Sequence, residues 1–433
     1  MNDSAFVFGE FTSGELATLY PIDRRRHVYI VGQTGTGKSA LLYNLMLADL
    51  MGGGGFCFLD PHGDACQAIA AATPKSRVND VIYLDPSDPS HAFSYNPLDG
   101  VAEAARATRA ANIVSAFKNI WRDSWGPRLE YVLTNALRLL LDNKDQSLIA
   151  LPWLFIDEPF RKRLLRNCVD PVIRFYWTSE FPALDDRQRA ETLSPIQNKI
   201  GVLLGNPFIR AALGQNVSTF DIAEAMNDGK VIIVNLAKGN LGTEPSHLLG
   251  ALLVSAVAQA AEARGTIAED DRRDFTLFVD EFQNFATDSF ASILSEARKW
   301  RLGLVAANQH VSQLSEPLQH AVFGNVGTIV AFRVGAIDAP KIAAELGMEN
   351  PHALRETNNF RAWLRLMCDG APIEPHLIAT FPPQAPTSDR LSRVIANSRA
   401  RHAIPRAKVE RRIAEFFASV TPPRRKRRIR RPD

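Results

Sequence analysis

The sequence predicts an α/β fold: a mostly parallel sheet, interrupted by an inserted all-α domain and followed by a basic C-terminal tail. Short β-rich runs alternate with helix-like periods before about residue 100 and again after about residue 229, the order of a parallel sheet with crossover helices. Between residues 101 and 228 the strand-like runs disappear. Charge is also uneven: residues 390–433 carry fifteen Lys and Arg against three acidic residues, a balance of +12, so the rest of a chain of net charge +3 sums to −9. The expected bounds are 1–100 and 229–385 for the two parts of the α/β domain, 101–228 for the insertion and 386–433 for the tail.

The first strand is read at residues 27–31, followed by a glycine-rich turn at 32–38 and helical apolar spacing over 39–51. Four glycines at 52–55 end that helix. A second strand at 56–59 runs into Asp60-Pro61-His62-Gly63-Asp64, and a third at 81–84 ends at Asp85-Pro86. In the insertion, Leu129, Val132, Leu133, Ala136, Leu137 and Leu140 repeat with helical period. Strands return at 231–235, 275–279, 302–307 and 328–332, each separated by a helix-like segment. Pro382, Pro383 and Pro386 mark the exit to a tail with one amphipathic stretch, 409–417, and the basic run 424–431.

With 433 residues, 46% of them hydrophobic and 22% charged, the chain can bury a large core. Cysteines at 57, 66, 168 and 368 have no Cys-x-x-Cys spacing, which argues against a disulfide framework or zinc knuckle and for a reducing cytoplasm. The most apolar stretch, 248–263, falls short of the roughly 18 residues of a membrane span. No membrane span and no export signal are therefore expected. A basic tail on an acidic body points to a tail that touches nucleic acid or anionic lipid, or that serves solubility.

The strongest chemical signal is Gly32-Gln33-Thr34-Gly35-Thr36-Gly37-Lys38-Ser39, a phosphate loop between a strand and a helix. Its glycines let successive amides, through Ala40, turn toward the phosphates of ATP, Lys38 reaches the β and γ oxygens, and the Ser39 hydroxyl ligates Mg²⁺. Such a loop needs an acidic centre. The run 275–279 ends in Asp280-Glu281, adjacent carboxylates that can serve metal and attacking water separately. An adjacent catalytic glutamate points to the ATPase branch with an extra strand between the loop strand and the Asp strand, hence a RecA-like core. That extra strand, 302–307, is followed by Asn308-Gln309, and the Gln309 amide can donate to a γ-phosphate and accept from water. Asp60 and His62 end another strand on the same edge, as site residues or as turn and cap.

These residues resemble the HerA and FtsK superfamily of DNA-pumping ATPases, and within it the TraG-like coupling proteins of conjugation and type IV secretion. The resemblance covers about residues 20–375. It rests on Arg26-His27, the phosphate loop, Asp60-Pro61-His62-Gly63-Asp64, Asn96-Pro97-Leu98, Val279-Asp280-Glu281-Phe282, Arg298-Lys299, Gln309, and Phe332-Arg333 followed by Asp338-Ala339. It implies a homo-hexameric ring around DNA, with a relaxosome or secretion-channel protein as a further partner. It also implies that Arg298, eleven residues before Gln309, reaches a neighbour's ATP, and that Arg26, twelve residues before Lys38, is a second nucleotide-facing arginine. Lys299 and Arg301 are rivals of Arg298 by position. The phosphate loop comes within 40 residues of the N-terminus with no transmembrane helix before it, unlike membrane-anchored coupling proteins.

The function expected from this is ATP hydrolysis coupled to DNA translocation. The competing expectations are a secretion ATPase that moves protein, and an ATP-gated adaptor that recruits cargo and hydrolyses slowly.

Overall fold

The computed structural model describes residues 5–420 apart from 288–289, 292–293 and 387–388, and apart from the side chain at 203. The basic run 424–431 lies outside the described residues. The chain divides into two compact units: Met1–Asp88, Ala111–Trp125 and Thr219–Ala403 form one, and Pro89–Ala110, Gly126–Ser218 and Ile404–Asp433 the other.

The strands are, in chain order, β1 (Phe6–Phe11), β2 (Leu16–Leu19), β3 (Val28–Val31), β4 (Gly55–Asp60), β5 (Val81–Leu84), β6 (His91–Ala92), β7 (Val231–Asn235), β8 (Phe275–Val279), β9 (Leu302–Asn308), β10 (Thr328–Ala331), β11 (Arg361–Arg365), β12 (Met367–Cys368), β13 (Ala371–Pro372), β14 (His376–Thr380) and β15 (Ile404–Pro405). Eleven of them build one sheet in the order β2-β1-β14-β11-β10-β3-β9-β8-β4-β7-β5. From β10 to β5 every neighbouring pair is parallel. The parallel strands are unbroken apolar runs, and β3, β4, β7, β8 and β9 are buried at every residue, as strands covered on both faces must be. β9 lies between the loop strand β3 and the aspartate strand β8, as expected from the adjacent carboxylates Asp280 and Glu281.

An antiparallel flank of β2, β1, β14 and β11 extends the sheet beyond β10. It is absent from the sequence reading because its strands are not unbroken apolar runs: in β11, Ala362 and Leu364 are buried while Arg361 is exposed. The helix Thr243–Glu262 also differs from the expectation. Together with the turn that follows it, to Thr266, it is long and apolar enough to cross a membrane, but 72% of its most apolar window is buried inside the α/β unit, so it is a core helix.

The segment expected as one basic tail divides between the two units. The helix Leu391–His402 packs on the edge strand β5, where the Ser398 hydroxyl accepts from Tyr83 N at 2.8 Å and donates to Tyr83 O at 3.0 Å. An edge strand is thereby closed to further pairing. The helix Arg406–Val420 belongs to the helical unit, where β15 pairs with β6 and Val409 and Ile413 pack with Ala92, Ile149 and Ala211. The rest of that unit is helical, with Pro127–Leu141 and Asp186–Gly205 its longer members, and has an aromatic centre in which the Trp177 and Phe181 rings are 5.0 Å apart and Phe155 lies beside both. Its bounds differ from the expected 101–228: residues 111–125 and 219–228 belong to the α/β unit, and 89–100 and the segment from 404 belong to the helical unit.

Candidate active site

The phosphate loop sits at the C-terminal end of β3. Gly32 N donates to Asn308 O and Gln33 N to Arg333 O, so the loop is fastened to the ends of both neighbouring strands. Gly37 has φ +121°, and a Cβ there would come within 3.0 Å of Phe332 and 3.1 Å of Phe360. A Cβ on Gly32 would lie 2.5 Å from the Phe332 Cβ. These two rings therefore form a floor that only glycine can approach, which gives Phe332-Arg333 a local reason to be there. The Thr36 hydroxyl donates to Gln33 O at 2.7 Å, and Thr36 O accepts from Phe360 N at 2.8 Å.

The helix Lys38–Gly52 starts with Gly37 as its cap residue, which offers no side-chain acceptor to the first-turn amides. Those amides are left for an anion. Thr34, Gly35 and Ser39 are exposed, Ala40 is half-buried and Thr36 is buried. The Lys38 ammonium folds back onto its own loop, donating to Gly32 O at 2.6 Å and Gln33 O at 3.1 Å. Burial lowers its pKa below the ordinary lysine value, while the charges of Asp280 and Glu281 work the other way.

Asp280 and Glu281 leave the end of β8 buried and adjacent. Burial pushes the Asp280 carboxyl up to about 6, with the Glu281 and Asp60 charges adding to it. Glu281 has φ +51°, an uncommon left-handed conformation for a non-glycine residue. Its Oε1 accepts from Gln309 Nε2 at 2.6 Å and its Oε2 from Gln283 Nε2, and Gln283 Oε1 accepts from Asn308 Nδ2 at 2.7 Å. Gln309 thus lies beside Glu281. Asp60 acts as a turn and cap residue, accepting from His62, Ala65 and Cys66 amides, and His62 stands exposed on the same edge. Asp338 accepts from Val311 N and Ser312 N, holding the turn that follows Gln309.

Arg298 and Arg26 lie at the opposite end of the sheet, before β9 and β3 respectively. β9 has seven residues, which at about 3.3 Å per residue separates its ends by about 20 Å. Neither arginine reaches the phosphate loop of its own chain. Arg26 donates to Gly370 O at 2.9 Å. Arg298 is exposed and its side chain has no partner among the described residues. Of its rivals, Arg301 donates to Arg272 O at 2.6 Å and faces Asp270 at 3.6 Å, and Lys299 faces Glu296 at 3.8 Å.

Sequence reasoning missed Gln283 and Lys238. Lys238 follows β7, and its ammonium is lowered by burial while the Glu281 charge opposes the shift. The only sequence signal for Gln283 was its place two residues after Glu281.

The parallel sheet with its extra strand, glycine loop and paired carboxylates defines a P-loop NTPase fold. The family model for the type IV secretion-system coupling protein DNA-binding domain matches residues 14–360, and the chain belongs to that family. It is 21% identical over 346 residues to the type 4 coupling protein DotL of Legionella pneumophila, an alignment covering 66% of this chain and 44% of DotL's length. Among solved structures, the bacterial conjugative coupling protein TrwBdeltaN70 superposes with a TM-score of 0.63 at 15% identity, covering 89% of this chain and 90% of that one. TrwB in complex with ADP and Mg²⁺ gives 0.57 at 16%, covering 85% and 89%.

Proposed function

We propose that this chain is an ATP-hydrolysing motor that translocates DNA, working in the cytoplasm as a homo-hexameric ring in conjugative or type IV secretion transfer. The observation that carries the reading is the division of its chemistry between the two ends of one sheet. The phosphate loop, Asp280, Glu281 and Gln309 occupy one end; Arg298, an exposed cation with no partner among the described residues, occupies the other. A ring that stacks the two ends of successive copies completes the site, and a guanidinium supplied in trans makes hydrolysis depend on assembly.

Lys38 leaves the Gly32 and Gln33 carbonyls for the β and γ oxygens, Glu281 accepts the proton of the attacking water, and Gln309 orients that water. The residues suit Mg²⁺: Asp280 is crowded by two other carboxylates that a cation would relieve, and Ser39 presents an exposed hydroxyl. Among the described residues no group of three His, Cys, Asp or Glu forms a free-standing metal site, which suits an ion held largely by phosphates and water. When bound, Mg²⁺ supplies charge neutralisation at the β and γ oxygens. Beside the loop a cavity of about 500 Å³ lined by Gln33, Arg333, His352 and Arg355 has room for the rest of the nucleotide.

TrwB, whose fold this chain shares, has been solved with ADP and Mg²⁺ and is described as a conjugative coupling protein. The membership of the DNA-binding-domain family favours DNA over protein as the polymer moved. The test is ATP turnover of the purified chain alone, with single-stranded DNA and with duplex. Stimulation by either is expected; turnover indifferent to both would shift the reading to a protein-moving secretion ATPase or a slow adaptor.

A further inference from the structure

The base assigned to the reaction is held at both ends: both oxygens of the Glu281 carboxylate accept amide N–H groups, one from Gln309 and one from Gln283. Each oxygen keeps a second lone pair, but the two amides fix the plane of the carboxylate and with it the direction in which those lone pairs can meet a water. Gln309 has an evident cause for release, since an arriving γ-phosphate competes for its amide. Gln283 has no such cause at the nucleotide. It is braced from behind by Asn308, the residue before Gln309, so one corner at the end of β9 controls both donors.

Gln283 also forms part of the wall of a separate cavity of about 220 Å³, together with Asn119, Arg122, His247, Asn284 and Gln313. Among the described residues no Asp or Glu lines it. The walls offer a guanidinium and several amides, which suit an anion with several acceptor oxygens. His247 Nε2 is buried with no hydrogen-bond partner among the described residues, an orphan that a ligand oxygen in this cavity would satisfy. Burial, with the Lys238 charge adding to it, lowers the His247 imidazole to about 4, so at neutral pH it meets a ligand uncharged.

We propose that Gln283 is a positioning residue that holds Glu281 at rest, and that a nucleic-acid phosphate entering the cavity beside Arg122 and His247 draws Gln283 away and frees the base. This rests on the DNA-motor reading and gives it a means of coupling. Hydrolysis then waits on the polymer, because Gln309 answers to the nucleotide and Gln283 to the strand.

The test compares the full chain with Gln283→Leu and Gln283→Met, which keep much of the side-chain volume without the amide, using ATP turnover with and without a homopolymeric single-stranded oligonucleotide and with duplex. The expected result is a basal kcat raised on the order of tenfold, a KM for ATP changed by less than about twofold, and a stimulation ratio close to one. Arg122→Gln should lose the stimulation without the basal rise. A basal rate that falls in both Gln283 variants while the stimulation ratio persists would reduce Gln283 to a structural brace and overturn the proposal. Should the unaltered chain ignore every nucleic acid, the motor reading fails; a basal rise in Gln283→Leu would then keep the hold on Glu281 and remove the nucleic acid from it.

Discussion

The two ends of the sheet in the α/β unit handle charge in opposite ways. At the C-terminal end, Lys38, Asp280, Glu281, Gln283, Asn308 and Gln309 are drawn into one another or into the loop, in an arrangement that a phosphate would rearrange. At the N-terminal end, arginines and aspartates line a cleft of about 530 Å³ and mostly neutralise each other. Arg24 meets Asp49 at 2.6 Å, packs over Phe6 and donates to Thr276, and Arg25 meets Asp274 at 2.7 Å. Arg264, fully buried, donates to Asn227 and to the carbonyls of Met226, Arg273 and Trp300. An edge whose cations are spent on itself is scaffold; Arg298, which has no side-chain partner among the described residues, departs from that pattern, and the proposed role across an interface falls to it for that reason.

The sharpest way to break this comparison is to mix two damaged chains. Lys38→Ala removes the charge that meets the phosphates, and Arg298→Ala removes the cation of the other end; each alone should lose on the order of 10³-fold in turnover or more. In mixed assemblies some interfaces join an intact loop to an intact arginine, so partial activity should return. Proven mixed rings with turnover no greater than the sum of the parts would place Arg298 outside the reaction.

Glu281→Gln acts on the C-terminal end alone. It keeps the shape and one acceptor but loses basicity, so it should bind ATP and stall, with turnover down about 10²-fold or more. Nucleotide affinity measured by fluorescence titration should stay close to that of the unaltered chain. Retained turnover would move the base assignment elsewhere.

His27 joins the two ends' architecture, because it lies between Arg26 and β3 and pins the segment before Arg298. Its Nδ1 accepts from Leu304 N at 3.1 Å, so Nε2 carries the proton and donates to Leu294 O at 3.1 Å. Burial holds its pKa below the ordinary histidine value of 6.5, with the Leu294 bond opposing. The folded imidazole resists a proton that the unfolded chain accepts, so its contribution to stability is full above about 6.5 and is lost as pH falls below it toward the folded value. His27 has φ +61°, which Asn tolerates, and His27→Asn should lower stability at pH 7.5 by about 1–3 kcal/mol for the unsatisfied amide and carbonyl. Denaturant unfolding at pH 7.5 and 5.5 should show a smaller acid loss in the variant than in the unaltered chain. Equal losses would mean that His27 does not titrate between the two states.

Much of this was legible in the sequence because the parallel strands are continuous apolar runs and the loop is written in consecutive residues. The antiparallel flank was not, since β1 finds its partner β14 more than 360 positions away and pattern alone does not report such pairing. Asp60 could not be resolved between site and cap until its three amide donors were placed. Gln283 was invisible for a similar reason: its meaning comes from Asn308, 25 residues on, and from a neighbouring cavity. That the length of β9, about 20 Å, separates Arg298 from the loop end of the sheet could be inferred only once β9 was known to run the whole way between them.

The smallest expected effect is also the most selective control on the comparison. Lys299 is next to Arg298, carries the same charge and is exposed, but its ammonium faces Glu296 at 3.8 Å and its carbonyl accepts from Arg272. An exposed pair of that kind contributes little, roughly 0–1 kcal/mol, and its backbone contact survives truncation of the side chain. Lys299→Ala should therefore change turnover by less than about twofold. If the N-terminal end acted only as a diffuse basic surface toward a neighbouring copy, losing either charge would cost about the same, because a field at that range does not distinguish adjacent residues. A large loss in Arg298→Ala beside a near-neutral Lys299→Ala would instead require a single guanidinium in a defined place, since a planar fork aligns on a phosphoryl group where an ammonium does not. Turnover of the two variants at matched assembly state decides between these, and a Lys299→Ala loss as large as that of Arg298→Ala would replace the single arginine with the surface.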